Sequence, residues 1–416
     1  MSDFRNVTLP NGLQVVADID QRGYSAAIGY FVRAGAKDET DSQSGLSHFL
    51  EHMMFKGTAR RSAQDVNREL DELGGNSNAY TSEEQTVYYA AVLPKYQHRM
   101  VDLLSDMMRP ALDEKEFTTE RQVILEEIAK YEDQPPFGAF ERVMERCYGP
   151  RGLGRRVLGT THSIENMQVQ TMRDYFNTRY RCDNMVLAAS GNVDFDDLVD
   201  QAAQATANWN DVPIPAQPPA DDLNQMPEGI TTDAQIEVAD ASQAYRVTLS
   251  GAPSMASKDR YAMRLLTSII GDDGGSRLFW DLVDTGRAEV ATIWGQEFAE
   301  TGGLFSYMVC GPDEMESNIR LMNETIQRVA DEGVTEEELS QVKNKTVAGV
   351  IMASERPSQR LFSMGSRWLC CREHLSTDAL LDAYRNVQLQ DVAQAAQTYL
   401  TNTPTEVIAA ASPAPA

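Results

Sequence analysis

Two of the chain's five histidines stand four residues apart, with an acid directly before the second, in Ser44-Gly-Leu-Ser-His-Phe-Leu-Glu-His-Met-Met-Phe-Lys-Gly-Thr58. On a helix each residue turns about 100°, so with His48 at zero Glu51 falls at roughly 300° and His52 at roughly 40°. All three side chains share one face. Two neutral imidazoles one turn apart can hold a single zinc ion, and a neighbouring carboxylate can take a proton from water that the metal acidifies. His-x-x-Glu-His is therefore a spacing for hydrolysis. It leaves the metal short of one protein ligand, because catalytic zinc sites keep three.

No third histidine is well placed. His98 and His162 lie in polar surroundings, and His374 closes Cys370-Cys-Arg-Glu-His, where adjacent cysteines seldom chelate one ion together. A carboxylate is the natural third ligand. The helical stretch Glu120-Arg-Gln-Val-Ile-Leu-Glu-Glu-Ile-Ala-Lys-Tyr carries Glu120, Glu126 and Glu127. Glu120 and Glu127 are two turns apart and fall within about 20° of each other, whereas Glu126 points about 100° away from Glu127. The apolar stripe of Val123, Ile124 and Ile128 marks a partly buried helix, on which an inward carboxylate needs a partner. On this helix alone, the stronger reading is that all three are solvated glutamates beside Arg121 and Lys130.

The elements that must position these residues follow from periodicity and turn chemistry. Val7 to Ala17 reads as strand, Asn-Gly turn and strand, and Ala26 to Ala34 as a further strand closed by Gly35. After the motif helix, Ala63 to Leu73 is helical up to Gly74-Gly75. Asn76 to Thr81 and Thr86 to Val92 form a hairpin across Ser82-Glu-Glu-Gln85. Helices are expected from Pro94 to Met108, from Asp113 to Asp133 with Pro135-Pro136 as a stop, over 137–148, over 164–180 and over 194–209, with a buried strand at Asn184 to Gly191. Prolines 213, 215, 218, 219 and 227 make 211–229 a stiff linker. The expected division is 1–210, the linker 211–229, and 230–416. The second block repeats strands before helices. Two gapless frames set Arg277 opposite His48 and Asp281 opposite His52, and Val342 opposite Glu120 and Gly349 opposite Glu127. Only the first half then carries a metal set, so one zinc per chain is expected.

With 416 residues the chain exceeds one ordinary core and suggests two large domains. Its 42% hydrophobic and 24% charged residues fit a soluble globular protein, and no apolar run nears the ~20 residues that span a bilayer. The start lacks a signal-peptide core, so a cytoplasmic location and no membrane partner are expected. A net charge of −25 argues against nucleic acid, whose phosphates would be repelled. Five cysteines without Cys-x-x-Cys spacing read as reduced thiols rather than a disulfide framework.

Taken together, Gly45-Leu-Ser-His-Phe-Leu-Glu-His-Met-Met-Phe-Lys-Gly-Thr58, Asn78-Ala-Tyr-Thr-Ser82, Glu120-Arg-Gln-Val-Ile-Leu-Glu-Glu127 and Asn184-Met-Val-Leu-Ala-Ala-Ser-Gly-Asn192 resemble the pitrilysin/insulinase family of zinc metallopeptidases. The nearest branch resembles the mitochondrial processing peptidase β-subunit and its bacterial relatives. The resemblance implies an α+β fold of two similar halves, each a mostly antiparallel sheet with helices on one face, packed into a half-shell. Two such half-shells, in one chain or two, enclose a chamber. It implies zinc bound by His48, His52 and Glu127, Glu51 as general base, Glu120 as a supporting residue, and Asn78, Ala79 and Tyr80 on an edge strand that pairs with extended peptide substrates.

One departure stands out. Active members of the family supply an Arg and a Tyr seven residues apart from the second half-shell, after a Ser-Arg-Leu-Phe segment. Here that segment is Ser276-Arg-Leu-Phe279, and the two positions fall on Val283 and Val290. The resemblance then implies a heterodimer with a homologous chain that carries the pair, or a homodimer. The rival reading is a non-catalytic scaffold subunit of the same fold, like respiratory-complex core proteins, which tend to erode the metal motif.

Overall fold

The computed structural model describes residues 3–132, 134–209, 234–237 and 242–410. The first sheet comprises β1 (Asp3–Thr8), β2 (Gln14–Ile19), β3 (Ala26–Val32), β4 (Asn76–Thr81), β5 (Thr86–Val92) and β6 (Met185–Gly191), in the order β1-β2-β6-β3-β5-β4. All neighbours are antiparallel except β2 and β6. Between the strands run helices α1 (Leu46–Met53), α2 (Ala63–Glu72), α3 (Gln97–Met107), α4 (Glu114–Glu132) and α5 (Pro135–Tyr148). β4 lies at the end of the sheet, which leaves one of its edges without a strand partner among the described residues. The core under this sheet joins Ile28, Tyr30 and Tyr88 to Phe49, Leu50, Met100 and Leu104. Each such side chain, fully buried, contributes roughly 1.5–3 kcal/mol.

The second sheet holds β7 (Ala234–Glu237), β8 (Ala244–Ala252), β9 (Val290–Glu297), β10 (Gly302–Cys310) and β11 (Thr405–Ala410) in the order β7-β11-β8-β10-β9. This repeats β2-β6-β3-β5-β4 strand for strand, and the parallel pair recurs as β7 and β11. The chain is thus two similar α+β halves, each built on a mostly antiparallel sheet. One of the two sequence frames holds: α4 and the Glu336–Ser354 helix are both 19 residues long, and each is followed by a helix opened by proline. The other frame does not. The helix that follows β8, as α1 follows β3, is Asp259–Gly271, and Gly274–Trp280 falls one element later, where the first half has α2. A glycine-rich run matched a glycine turn in composition but not in element order. The helix Asp259–Gly271, which takes the place of α1, holds no histidine and no carboxylate beyond Asp259.

Two compact units emerge, and each takes in a helix from the other half of the sequence. Unit 1 contains residues 3–129, 155–209 and 352–375, and unit 2 contains 130–132, 134–154, 234–237, 242–351 and 376–410. In unit 2, Ala139, Val143 and Cys147 of α5 cover Val247, Leu249 and Phe305. In unit 1, Leu361, Met364 and Leu369 of the Pro357–Cys371 helix cover Val16, Ala27, Phe31 and Val186. Gly365 makes this possible, because a Cβ there would lie 2.4 Å from the Phe31 ring. Coverage on both faces explains why every residue of β3 and β6 is buried. The units therefore differ from a division at 210 and 230 in these two helices, and the proline-rich 211–229 lies outside the described residues. Pro135 is both the end of α4's reach and the first residue of α5, since a proline lacks only an N–H that the first turn leaves unbonded.

Candidate metal centre

The helix α1 begins at Gly45, whose φ of 87° belongs to the left-handed region, and a Cβ there would sit 2.5 Å from the Leu158 carbonyl oxygen. Its first turn has no side-chain cap of its own. Glu39 supplies one from outside the helix: its carboxylate accepts from the backbone N–H of Gly45 at 2.8 Å and of Ser47 at 2.6 Å. Burial pushes this carboxyl up to about 8, against those bonds and the nearby Arg155. The Ser47 hydroxyl meets the Tyr175 hydroxyl at 2.7 Å, which pins the opposite side of the turn.

From this anchored helix His48 and His52 project together, with ring centroids 4.7 Å apart. Nε2 of His48 lies 3.8 Å from Glu127 Oε2, and Nε2 of His52 lies 3.7 Å from the same oxygen. The three atoms are too far apart to bond one another and close enough to share an ion. Among the described residues this is the group of His, Cys, Asp and Glu side chains that could hold a metal, with all ligand atoms within 4.8 Å. The donor set, two imidazoles and a carboxylate, suits zinc. Burial, with His52 adding to it, pushes His48 down to about 3, so its ring is neutral as a ligand must be. Its Nδ1 is buried without a hydrogen-bond partner among the described residues.

His52 is held differently. Its Nδ1 stands 2.9 Å from Glu120 Oε1, and Glu120 Oε2 takes an ion pair from Lys56 Nζ at 2.6 Å. An ionised carboxylate only accepts, so the proton sits on Nδ1 and the Nε2 lone pair faces Glu127. Burial alone would raise Glu120, but the bonds from His52 and Lys56 overcome it and hold the carboxylate below its usual range. Glu51 lies on the same side. Burial raises it, with the Glu127 charge adding, while the Thr81 hydroxyl donates to its Oε2 at 2.6 Å and opposes the shift.

Thr81 ends β4, the strand that carries Asn78, Ala79 and Tyr80. Ala79 points into the core beneath α1. Tyr80 points the other way, to Phe362 and the Gln85 amide. The structure therefore brings His48, Glu51, His52, Glu120 and Glu127 together, and places the Asn78–Tyr80 backbone on the edge beside them. Sequence reasoning missed three contributors. Lys56 follows His52 by four residues, just past the end of α1, and Thr81 sits two residues past Ala79 on the same strand face, where spacing alone could have found Thr81. Glu39 lies in a loop and left no such signal. Of the remaining histidines, His374 stacks on Phe4 at 3.9 Å and His162 meets Asn166. Val283 packs on the unit 2 core and Val290 opens β9, so neither offers a hydrogen-bond donor side chain.

The family model described as insulinase (peptidase family M16) matches residues 14–161, and that of the peptidase M16 inactive domain matches 166–346. An uncharacterized zinc protease of Streptomyces coelicolor is 30% identical over 405 residues, covering 96% of this chain and 88% of the relative. One from Bacillus subtilis is 28% identical, covering 95% and 96%. In fold, the chain is similar to a protease from Helicobacter pylori, with a TM-score of 0.90 at 20% identity over 98% of this chain and 99% of the other. It is also similar to a peptidase M16 inactive domain structure from Pseudomonas fluorescens, with a TM-score of 0.89 at 17% identity over 99% and 98%.

Proposed function

The chain belongs to the M16 (insulinase) peptidase family, and from that premise we propose that it is a zinc metalloendopeptidase subunit cleaving extended peptides. His48, His52 and Glu127 hold one zinc ion per chain, Glu51 is the general base, and Glu120 is a positioning residue. The observation that carries this reading is the convergence of both Nε2 atoms on Glu127 Oε2, with Glu51 poised beside them and committed to no ligand role. A scaffold subunit would have no use for that set.

Zinc at this triad supplies a Lewis acid that polarises the scissile carbonyl and acidifies water towards a pKa of ~7. Glu51 takes the water proton and returns it to the leaving amine, work suited to a carboxyl raised by burial. Thr81 occupies one of its oxygens and so orients the other. Glu120 and Lys56 keep His52 in the tautomer that binds metal. The open edge of β4 at Asn78–Tyr80 offers main-chain groups to an extended peptide, which gives sequence-tolerant binding.

The subunit needs a partner in this reading, because Val283 and Val290 stand where the family resemblance expects an Arg and a Tyr. Loss of such donors weakens transition-state stabilisation by about 3–4 kcal/mol. A homologous chain of similar size that carries the pair supplies them. No helix among the described residues is long and apolar enough to cross a membrane, and a cytoplasmic setting fits five cysteines that form no disulfide. The test is zinc content with peptide cleavage in chain copurified from its native source. One zinc per chain, lost in His48→Ala and Glu127→Ala together with cleavage, is expected. Full cleavage by metal-free protein would overturn the proposal.

A further inference from the structure

The repeated strand order allows the two sheets to be compared position by position, independently of the metal site. Pro94 and Pro312 open equivalent turns after β5 and β10. Six residues before them stand Tyr88 and Ser306, and eleven residues after them Ser105 and Asn323. Across the ladder, Tyr88 faces Tyr30 and Ser306 faces Thr248. One strand further, Tyr30 faces Leu187 and Thr248 faces Glu406. Ile28, two residues before Tyr30, corresponds to Arg246.

In unit 1 these positions are a filled core. Tyr30 and Tyr88 are buried, their hydroxyls held by Ser105 at 2.8 Å and Tyr180 at 2.9 Å. In unit 2 both phenol rings are replaced by small hydroxyl side chains. A cavity of about 270 Å³ opens there between β8, β10, the Met315–Glu332 helix and residues 399–404. Its floor is Arg246, Thr248, Ser250 and Ser306, all buried, and Asn323 and Gln327 stand at its mouth.

The floor is rich in donors. Arg246 is only 3% exposed, yet among the described residues its five N–H groups meet few strong acceptors: Glu406 at Nε, the Met322 sulfur at 3.6 Å and Asn323 Oδ1 at 3.4 Å. The Thr248 and Ser306 hydroxyls meet at 2.5 Å, so one proton lies between them and the other is left to point elsewhere. Buried donors of this kind call for an acceptor. A carboxylate matches the planar fork of a guanidinium, and the volume lies just below the 300–1,000 Å³ of ordinary small-molecule sites. Glu406 on the Nε side balances the charge of Arg246, so the pocket does not need a ligand to persist.

We propose that this pocket in the second unit binds a small carboxylate of about amino-acid size. The test uses the full chain, with succinate, L-glutamate and acetate as probes against chloride at matched ionic strength, read by thermal melting and titration calorimetry. At least one probe raises the melting temperature saturably, as RT ln(1 + [L]/Kd) requires. Ser306→Tyr, which restores the ring carried by Tyr88, abolishes that binding and so separates it from any carboxylate held at the metal. Arg246→Lys keeps a cation beside Glu406 but removes the fork, and weakens binding at least tenfold. No saturable response to any of the three probes overturns the proposal. So does binding that survives unchanged in both variants, each shown to be folded by its own melting transition.

Discussion

Glu120→Gln is a change of one heavy atom in a side chain that stands outside the metal triad and touches it only through His52, yet it should cost zinc affinity. The carboxylate accepts from His52 Nδ1 at 2.9 Å with one oxygen and from Lys56 Nζ at 2.6 Å with the other, and Glu120 is 4% exposed. An amide has one acceptor and one donor end. With its oxygen towards His52, its NH₂ group faces the Lys56 ammonium, donor against donor. With its oxygen towards Lys56, its NH₂ group meets His52 Nδ1, which must then accept, so the ring proton moves to Nε2 and blocks the ligand atom. Either arrangement is unfavourable. Loss of a carboxylate that orients a histidine ligand typically costs 10–100-fold in metal affinity, or about 1.4–2.7 kcal/mol. Competition with a calibrated zinc chelator measures it directly. The zinc Kd should rise 10–100-fold, while cleavage at saturating zinc falls much less. An unchanged Kd in a folded Glu120→Gln protein would refute this account of His52.

Thr81→Val removes the hydroxyl that donates to Glu51 and opposes the burial shift. Glu51 should then titrate higher, so the acid limb of the kcat/KM profile moves to higher pH with zinc content unchanged; an unmoved limb counts against the contact. Gly45→Ala sets a side chain at φ 87° and 2.5 Å from a carbonyl oxygen, and should destabilise by at least about 1–3 kcal/mol in chemical denaturation. Wild-type denaturation within error for that variant would mean that the turn relaxes freely. Glu39 is raised from an ordinary 4.5 to about 8 in the folded chain, so its favourable term is full below about 4.5 and is lost as pH rises towards 8. The melting temperature of wild type relative to Glu39→Gln should therefore decline from pH 5 to 8, and parallel curves would contradict the shift. The purified lone chain should cleave peptides poorly and gain activity from a homologous partner; full turnover alone would remove the need for one.

Much of this was legible because period and chemistry agree locally. The hairpin Asn76–Thr81 and Thr86–Val92 follows from alternation around a polar turn, and the shared face of His48, Glu51 and His52 follows from helical spacing. The third member of the cluster was not legible from spacing, because α4 presents several glutamates and only its place beside α1 brings Glu127 to the two histidines. The expected helix over 164–180 is two, Thr161–Asn166 and Val169–Arg179, since Met167 is extended at the break. The helix exchange was hidden for a deeper reason. The apolar faces of α5 and Pro357–Cys371 announce burial, but an amphipathic stripe does not state which sheet it will cover. Likewise the alternation of β8 marks a strand, while the polar identity of its inward Arg246, Thr248 and Ser250 acquires meaning only beside Ile28, Tyr30 and Val32 of β3.

The central claim is that Glu51 moves the proton while His48, His52 and Glu127 hold the metal. The most direct test is Glu51→Gln in the copurified complex, with zinc content and cleavage of a fluorogenic peptide measured on the same sample. The account predicts one zinc per chain, as in wild type, with cleavage reduced at least a hundredfold, within the range for a lost general base. Zinc retained together with wild-type cleavage would contradict it.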